Sequence, residues 1–392
     1  MVTKIKNAVF LADEPITDKS LFIKAGKIIA LTEEELAFDA EIDAEGQYVS
    51  SGFIDIHTHG AGGYDYSDGT AEDILNAAFF HAQSGVTTVF PTSPSLSTEE
   101  TARFVLNVKE AMARNAPGMP HIAGAHLEGP YFADAQRGAQ NPAYIKAPVY
   151  DEYSKIVSLG EGTVRRVSYA PELKGASELC DFLNQKEIVS AFAHTDGIYE
   201  EIKPLIDKGC NIATHLYSGM NGVVRRNMAR KLGAVETAFL EDCFVEVIAD
   251  GVHLPPALLK LIYKIKGSNR ICLVTDSMRG AGMESGMYVL GPKDSGMQCY
   301  VEKDDIAYLP DKSAYAGSVA SASRLIRTMY KSVGVPLCST VKMMTETPAA
   351  AMKLTGRGRL APDFYADLVF FDDDISIKRV FIEGKELPSI RI

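Results

Sequence analysis

The sequence of 392 residues lacks tryptophan and has no CxxC pair of the kind found in zinc ribbons and redox motifs. Its six cysteines stand singly along the chain: Cys180, Cys210, Cys243, Cys272, Cys299 and Cys338. Isolated cysteines within apolar runs are typical of small buried side chains in a reducing compartment. The sequence therefore predicts neither a disulfide framework nor a cysteine-ligated metal.

An excess of basic residues and a long apolar run are also missing. The chain has 51 acidic and 40 basic residues, which gives a formal net charge of -11. Without a basic stripe to release counterions from phosphates, we expect no nucleic-acid partner. No segment approaches the roughly 20 apolar residues that span a bilayer, and Lys4 and Lys6 interrupt the start of the chain in a strand-like alternation rather than a signal pattern. We expect a cytoplasmic protein with no membrane partner.

The two ends of the chain resemble each other. Residues 3–50 and 366–385 both consist of short strand-like runs broken by turn signals, such as Ala25-Gly26, which suits a hairpin. We predict that residues 1–50 and 350–392 pair into one small β-sandwich-like domain. Residues 51–349 would then form a larger catalytic domain inserted between them, and a hydrophobic content of 46% is enough for its core.

The central region alternates apolar strand candidates with helix-like segments, which indicates parallel β/α units. The eight candidates are residues 52–59, 86–91, 122–127, 164–170, 188–194, 210–216, 244–250 and 271–276. Residues 70–81 illustrate a linking helix, with Thr70 as N-cap and an acidic first turn. Eight such units predict an α/β fold of the (β/α)8 TIM-like barrel type, and an open doubly wound sheet is the alternative.

Metal-ligating side chains stand at the ends of these strand candidates. His57 and His59 are two residues apart, so they point the same way from one strand. The other strand ends contribute Glu128, His194, His215 and Asp276. Parallel strands of a barrel bring their carboxyl ends to one face. Imidazoles and carboxylates without cysteine predict a hydrolytic zinc, iron or manganese site.

Each of these residues has an ordinary structural alternative when taken alone. A His-x-His pair can hydrogen-bond the backbone with one ring and face solvent with the other, Glu128 can form a salt bridge, and Asp276 can cap a helix. Their common position at strand ends, and the flexible glycine-rich segment 60–63 after the histidines, favour a metal site. We interpret His81 and His121 as structural residues.

The motifs that contain these residues resemble those of a known family. They are Gly-Phe-Ile-Asp-Ile-His-Thr-His-Gly (52–60), His-Leu-Glu-Gly-Pro (126–130), Ala-His-Thr-Asp (193–196), Ala-Thr-His-Leu-Tyr (213–217), Ile-Ala-Asp-Gly-Val-His (248–253), Leu-Val-Thr-Asp-Ser (273–277) and Ala-Gly-Ser (316–318). Their order is similar to that in N-acetylglucosamine-6-phosphate deacetylases of the amidohydrolase superfamily. The resemblance covers nearly the whole chain, and Leu-Glu-Gly-Pro is its most specific element.

The resemblance implies a role for each matching residue. Glu128, His194 and His215 would hold the tighter metal, and His57 and His59 a second ion that some members lack. Asp276 would be the general acid and base. The substrate would be bound by Gln140, Ser218, Gly219, Arg226, His253, Ala316, Gly317 and Ser318. Arg226 would reach across a homodimer interface to the phosphate of the sugar. A guanidinium can bind a phosphate through two parallel hydrogen bonds.

Two positions depart from the family pattern. The family usually has Gly-Ala-His-Asn-Pro where this chain has Gln140, which donates a hydrogen bond but carries no proton or charge. We hypothesise that a second metal at His57 and His59 takes over polarisation of the scissile carbonyl. Ser218-Gly219-Met220 replaces the common Asn-Ala-Met beside the phosphate, which leaves the requirement for the 6-phosphate open.

Taken together, these features predict metal-dependent removal of acetate from an N-acetylated amino sugar, with N-acetylglucosamine 6-phosphate as the expected substrate. A different N-acyl amino sugar, phosphorylated or not, and a non-catalytic sugar-phosphate-binding relative are the alternatives. Hydantoinase-like cyclic amide hydrolysis is less consistent with the sequence, because residues 168–172 contain no lysine to bridge two metals. One or two divalent ions are expected.

Overall fold

The computed structural model describes residues 1–302 and 306–388. Seven short strands come first: β1 (Val2–Lys6), β2 (Val9–Leu11), β3 (Pro15–Ile16), β4 (Ser20–Lys24), β5 (Lys27–Thr32), β6 (Ala40–Asp43) and β7 (Tyr48–Ser51). Strands β5, β4, β1 and β6 form a four-stranded sheet in that order. Ala25 and Gly26 make the predicted hairpin turn, and both have the positive φ angles (50° and 79°) that such a turn requires.

The central region carries strands and helices in alternation, as predicted. Its elements are β8 (Phe53–Thr58), β9 (Gly60–Ala61), β10 (Tyr64–Asp65), α1 (Ala71–Ala82), β11 (Val86–Ser93), α2 (Thr98–Arg114), β12 (His121–Ile122), β13 (Ala125–Glu128), a 3-10 turn (Asp134–Gln136), α3 (Tyr150–Leu159), β14 (Val164–Tyr169), α4 (Ala176–Gln185), β15 (Val189–Phe192), α5 (Tyr199–Asp207), β16 (Cys210–Ala213), β17 (Val224–Arg226), β18 (Ala229–Lys231), α6 (Ala234–Leu240), β19 (Phe244–Val247), α7 (Pro256–Lys266) and β20 (Ile271–Leu273).

Eight parallel strands form the barrel in the order β8, β11, β13, β14, β15, β16, β19 and β20. The ring closes at its carboxyl end through the backbone, where Asp276 N donates to His57 O at 2.9 Å. At its amino end a later segment fills the gap, because Met343 O accepts from Leu273 N and Met344 O from Ile54 N, both at 2.8 Å. The barrel prediction is therefore confirmed, and its first and last strands are locked together beside the ligand-bearing ends.

Helix starts follow the local sequence. Thr70 caps α1, as predicted, by accepting a hydrogen bond from Asp73 N at 3.1 Å. Ser97 and Glu100 form a reciprocal capping box at the start of α2. These two caps mark where α1 and α2 begin, and therefore where the loops that precede them end.

The chain after β20 adds a small three-stranded sheet, then four short helical segments and finally three strands. Its elements are β21 (Gly286–Leu290), β22 (Met297–Glu302), β23 (Ile306–Tyr308), α8 (Ala322–Arg327), a π-helical turn (Thr328–Val333), α9 (Leu337–Lys342), α10 (Glu346–Ala351), β24 (Leu368–Phe371), β25 (Ile377–Ile382) and β26 (Lys385–Glu386). Arg279 anchors the β21–β23 sheet beside the barrel mouth, because it bonds Val289 O and Gly291 O on the sheet side and Asp68 on the barrel side.

Strands from both ends of the chain share one sheet, in the order β26, β25, β24, β7, β2 and β3. Phe10 and Val49 from the N-terminal part pack in one core with Leu368, Phe370 and Phe381 from the C-terminal part. The barrel is thus inserted into a small β domain built from both termini, as the sequence predicts. The boundaries at residues 50 and 350 remain predictions, and residues 389–392 of the last segment lie outside the described residues.

The cysteines match their expected environment. All six are buried and free, and burial raises the pKa of the Cys210 thiol to about 12. In residues 1–302 and 306–388, none of the helices combines the length and apolar character needed to cross a membrane.

Candidate metal centre and substrate cavity

Six predicted ligand and acid/base side chains converge at the carboxyl face of the barrel, and all of them are buried: His57, His59, Glu128, His194, His215 and Asp276. Where the chain leaves its strand, His194, His215 and Asp276 adopt positive φ angles of 44°, 31° and 46°. Non-glycine residues in this region carry backbone strain of about 1–3 kcal/mol each. At these three positions the chain leaves the strand conformation, and the side chains join the same cluster of ligand atoms.

One group of ligand atoms surrounds a single carboxylate oxygen. Glu128 Oε1 lies 2.8 Å from His215 Nε2 and 3.1 Å from His194 Nε2, and the two imidazole nitrogens are 3.1 Å apart. Two nitrogen donors and one oxygen donor at this separation form a compact three-ligand set. This arrangement leaves coordination positions open, as hydrolytic metal centres require.

A second group shares the same carboxylate. His59 Nε2 lies 3.4 Å from Glu128 Oε2, and His57 Nε2 lies 3.6 Å from Glu128 Oε1. Asp276 Oδ1 closes this side at 3.2 Å from His59 Nε2 and 3.5 Å from His57 Nε2. Glu128 Oε1 therefore faces His57 as well as His194 and His215, whereas Oε2 faces His59.

The hydrogen bonds of the imidazoles show that their donor atoms suit a cation. His57 Nδ1 is held by Glu246 at 3.0 Å, His59 Nδ1 by Thr92 O at 3.2 Å and His194 Nδ1 by Gln136 O at 2.8 Å. A proton on each Nδ1 leaves the Nε2 lone pairs directed at the cluster. His57 Nε2 is buried and has no hydrogen-bond partner among the described residues. The donor set fits a divalent metal, with zinc, iron and manganese equally suited to imidazole and carboxylate ligands.

The acidic and basic groups of the cluster shift one another's pKa values. Burial alone lowers the pKa of His59, but hydrogen bonds to Asp276 and Glu128 outweigh burial and raise this pKa to about 9. Burial alone raises the pKa of the Glu128 carboxyl, and the surrounding histidines reverse that effect and bring its pKa well below the usual range. A positive charge on His57 thus favours the ionised form of Glu128, and a divalent cation bound there would take over that role.

A buried polar layer supports the cluster from inside the barrel, and sequence reasoning missed it. Glu246 on β19 holds His57 Nδ1, pairs with Arg166 on β14 and accepts a hydrogen bond from His215 N at 3.2 Å. Burial alone raises the pKa of Glu246, but Arg166 and His57 outweigh it and lower that pKa to about 2. The missed signal was a charged residue within each of two apolar strand runs. Such a pair persists inside a barrel only when each charge is compensated.

A second buried network lies behind the first and last barrel strands. Thr275 Oγ1 donates to Asp55 Oδ2 at 2.5 Å, and Ser277 Oγ donates to Gly60 O at 2.8 Å. His81 on α1 contacts Thr58 Oγ1 at 3.0 Å and is fully enclosed, and burial lowers its pKa to about 4. This network brackets Asp276 on both sides along the chain, and the environment of His81 agrees with its interpretation as a structural residue.

A cavity of about 300 Å³ opens above the ligand cluster. Five of the predicted substrate-binding residues line it: Gln140, Ser218, Gly219, His253 and Gly317. His253 is oriented by Asp250 Oδ2, which lies 2.7 Å from its Nδ1, and its ring packs on Tyr315 at 4.7 Å. Tyr217, Leu290 and Tyr315 also line the cavity and were not predicted. Leu290 and Tyr315 come from the region after β20, whose position was not evident from the sequence.

Three predicted substrate residues lie elsewhere. Arg226 sits on the β17–β18 hairpin, 3.2 Å from Glu201 Oε1, and it is not among the described residues that line the cavity of this single chain. Ala316 is buried in the core of the adjoining sheet. Ser318 donates through Oγ to Thr275 O at 2.5 Å and through its backbone N to Asp276 O at 2.6 Å. Ser318 therefore holds the segment that carries Asp276. Substrate contact by these residues stays a prediction.

Gly219 is required by its contacts, and we predict that Gly219→Ala weakens metal binding. A Cβ atom there would lie 2.6 Å from His194 Nδ1 and 2.8 Å from Gln136 O, which are the two partners of a hydrogen bond that orients a ligand. The matched control is Gly162→Ala, because Gly162 has a similar positive φ but no atom within 4 Å. Both variants should lose about 1–3 kcal/mol of folding stability in urea titrations. Only Gly219→Ala should bind less metal by equilibrium dialysis, and equal metal binding by both would contradict this reading.

Comparison with known proteins places this chain in one family. The amidohydrolase family model matches residues 48–387, and the chain belongs to this family. It is 29% identical over 336 residues to an N-acetylglucosamine-6-phosphate deacetylase from Vibrio furnissii, covering 85% of this chain and 81% of that protein. An N-acetylgalactosamine-6-phosphate deacetylase from Escherichia coli O157:H7 is 29% identical over 372 residues, covering 94% and 95%.

A solved structure agrees along the whole chain. The N-acetyl-D-glucosamine-6-phosphate deacetylase from Mycobacterium smegmatis, determined as a mutant in complex with N-acetyl-D-glucosamine-6-phosphate, superimposes with a TM-score of 0.89. The two chains are 29% identical, and the match covers 99% of each. The predicted family and barrel fold are therefore confirmed.

Proposed function

We propose that this protein hydrolyses the acetamide of N-acetylglucosamine 6-phosphate to acetate and glucosamine 6-phosphate. The observation that carries the proposal is the convergence of four imidazoles around Glu128, with Asp276 at the edge of the same cluster and a cavity directly above. The family match and the deacetylases named among the relatives support it.

A bound divalent metal supplies Lewis acidity, which polarises an amide carbonyl and lowers the pKa of water from about 15.7 toward 7. Glu128, His194 and His215 would hold one ion, and His57 and His59, together with Glu128, a second. Asp276 accepts the proton of the attacking water and returns it to the departing amine, so that one carboxylate serves as base and then as acid. Burial raises the pKa of the Asp276 carboxyl, and the neighbouring imidazoles outweigh burial and lower it. A divalent cation held by the same imidazoles would likewise favour the ionised carboxylate that the first step requires.

The cavity supplies the groups that would orient the sugar. His253, fixed by Asp250, lines the cavity together with Ser218 and Gly219, and Tyr315 adds an aromatic ring beside His253. We propose that Arg226 completes the phosphate site of a second copy in a homodimer. Its hairpin is consistent with that role, since Val223 and Met228 are 48% and 89% exposed. A cytoplasmic location is part of the same proposal.

The galactose epimer is a second candidate substrate. The Escherichia coli relative named N-acetylgalactosamine-6-phosphate deacetylase matches a larger share of this chain than the Vibrio furnissii relative does, at the same identity. The two sugars differ only in the direction of one hydroxyl group. The hydrogen-bonding groups that line the cavity, His253 and Ser218 among them, would decide between the two sugars.

The test compares acetate release from four sugars by the metal-loaded enzyme: N-acetylglucosamine and N-acetylgalactosamine, each with and without the 6-phosphate. The proposal expects the highest kcat/KM for N-acetylglucosamine 6-phosphate. A preference for the galactose epimer would support the second candidate. Equal rates with and without phosphate would contradict the phosphorylated substrate and the proposed role of Arg226.

A further inference from the structure

Gln140 makes two hydrogen bonds that fix the orientation of its amide. Ser95 N donates to Gln140 Oε1 at 2.6 Å, and a backbone N–H can only donate, so the carbonyl oxygen of the amide must face Ser95. The amide nitrogen then faces the ligand cluster and donates to Glu128 Oε2 at 2.7 Å. The side chain is 5% exposed. Its direction is set by the protein and not by solvent.

The acceptor of this hydrogen bond is the carboxylate that the two ligand groups share. Glu128 Oε1 lies within 3.1 Å of both His194 Nε2 and His215 Nε2, whereas Oε2 faces His59 Nε2 at 3.4 Å. Rotation of the carboxyl group about its last bond would withdraw Oε2 from His59. Gln140 opposes that rotation because it is itself tied to the backbone at Ser95. A neutral amide does so without adding charge to the cluster.

We propose that Gln140 is a positioning residue that holds Glu128 with Oε1 toward His194 and His215 and Oε2 toward His59, so that one carboxylate can serve two metal ions. The inference rests on the proposed metal-dependent function and deepens it. The residue acts through Glu128 and not by proton transfer, which an amide cannot perform. The family usually has histidine at this position. Glutamine occurs here together with the His57 and His59 pair because binding of the second ion depends on the direction of Glu128 Oε2.

The test measures metal binding without substrate, with Mn²⁺ as the probe. Wild-type protein should bind two Mn²⁺ per chain and show the exchange-coupled paramagnetic resonance spectrum of a carboxylate-bridged pair. Gln140→Met keeps the length of the side chain and removes both hydrogen bonds. It should weaken the second Mn²⁺ by about 10- to 100-fold, the usual cost of losing an outer partner of a ligand. The spectrum should change to that of an isolated ion.

Gln136→Met is the matched control, because it removes a glutamine amide from the same loop. The side chain of Gln136 donates to Asp196, which is not one of the predicted metal ligands. The control variant should bind both ions as the wild type does. Gln140→Asn is a polar alternative if Gln140→Met does not fold. Its amide is one methylene shorter and cannot reach both partners, so it should bind metal as Gln140→Met does. Two Mn²⁺ bound with unchanged affinity and a coupled spectrum in both Gln140 variants would overturn the proposal.

The same design separates this inference from the proposed function. If wild-type protein binds a coupled Mn²⁺ pair that Gln140→Met disrupts but releases no acetate from any of the four sugars, the proposed substrate is wrong and the role of Gln140 stands. If acetate is released and the variant has unchanged metal binding but a raised KM, the function stands. In that case Gln140 contacts the sugar instead, and the inference fails.

Discussion

Replacing Asp276 by asparagine is expected to lower kcat for acetate release by about 10²- to 10⁴-fold, the usual contribution of a general acid and base. The side chain keeps its size and its place beside His57 and His59, which lie 3.5 and 3.2 Å from Oδ1. An amide accepts no proton from water and returns none to the amine. Because the other ligand groups are untouched, the variant should still bind metal in equilibrium dialysis.

The combination of lost turnover and retained metal distinguishes a proton-transfer role from a ligand role. Asp18→Asn is the control, because Asp18 is an exposed aspartate in the small β domain and should leave both quantities unchanged. Loss of metal along with activity would show that Asp276 is mainly a ligand. Activity within a few-fold of wild type would show that another group transfers the proton.

Glu128→Gln is expected to abolish metal binding at both positions and, with it, acetate release. Glu128 belongs to two of the three groups of ligand atoms that lie within 4.8 Å of one another, and the His57, His59 group and the His194, His215 group both depend on it. A neutral amide removes the negative charge that offsets the cations, and its nitrogen cannot coordinate on the side it faces. Metal content measured by mass spectrometry and turnover should fall together.

His59→Gln provides the comparison within the same cluster. It disrupts only the group formed by His57, His59 and Glu128 and leaves His194 and His215 at 3.1 and 2.8 Å from Glu128 Oε1. This variant should therefore retain one ion per chain where Glu128→Gln retains none. Equal metal content in the two variants would contradict the shared role of Glu128.

The ligand cluster could be predicted because its members obey simple rules of position. Two histidines at a spacing of two share one side of a strand, and parallel strands present their carboxyl ends at one face. The pairing of the chain termini was also predictable, since Phe10 and Phe370 belong to apolar strand runs separated by almost the whole sequence and yet pack in one core. Local pattern and topology together were enough for these features.

Other features depend on contacts that a pattern does not encode. The Arg166–Glu246 pair is formed by strands β14 and β19, which are not neighbours in the sheet, so no spacing along the chain reports it. The hydrogen bonds of Gln140 to Ser95 and Glu128 join a loop to two barrel strand ends over separations of 45 and 12 residues. The β21–β23 sheet, which Arg279 joins to Asp68, brings Leu290 to the cavity. Each case required the packed structure.

The measurement that tests the account most directly is acetate release from N-acetylglucosamine 6-phosphate by protein stripped with a chelator and then reloaded separately with zinc, iron or manganese. We predict no release by the stripped protein, recovery with at least one of the three ions, and no recovery when Glu128→Gln is treated in the same way. Full activity of the metal-free protein, or no acetate with any ion, would contradict a metal-dependent deacetylase.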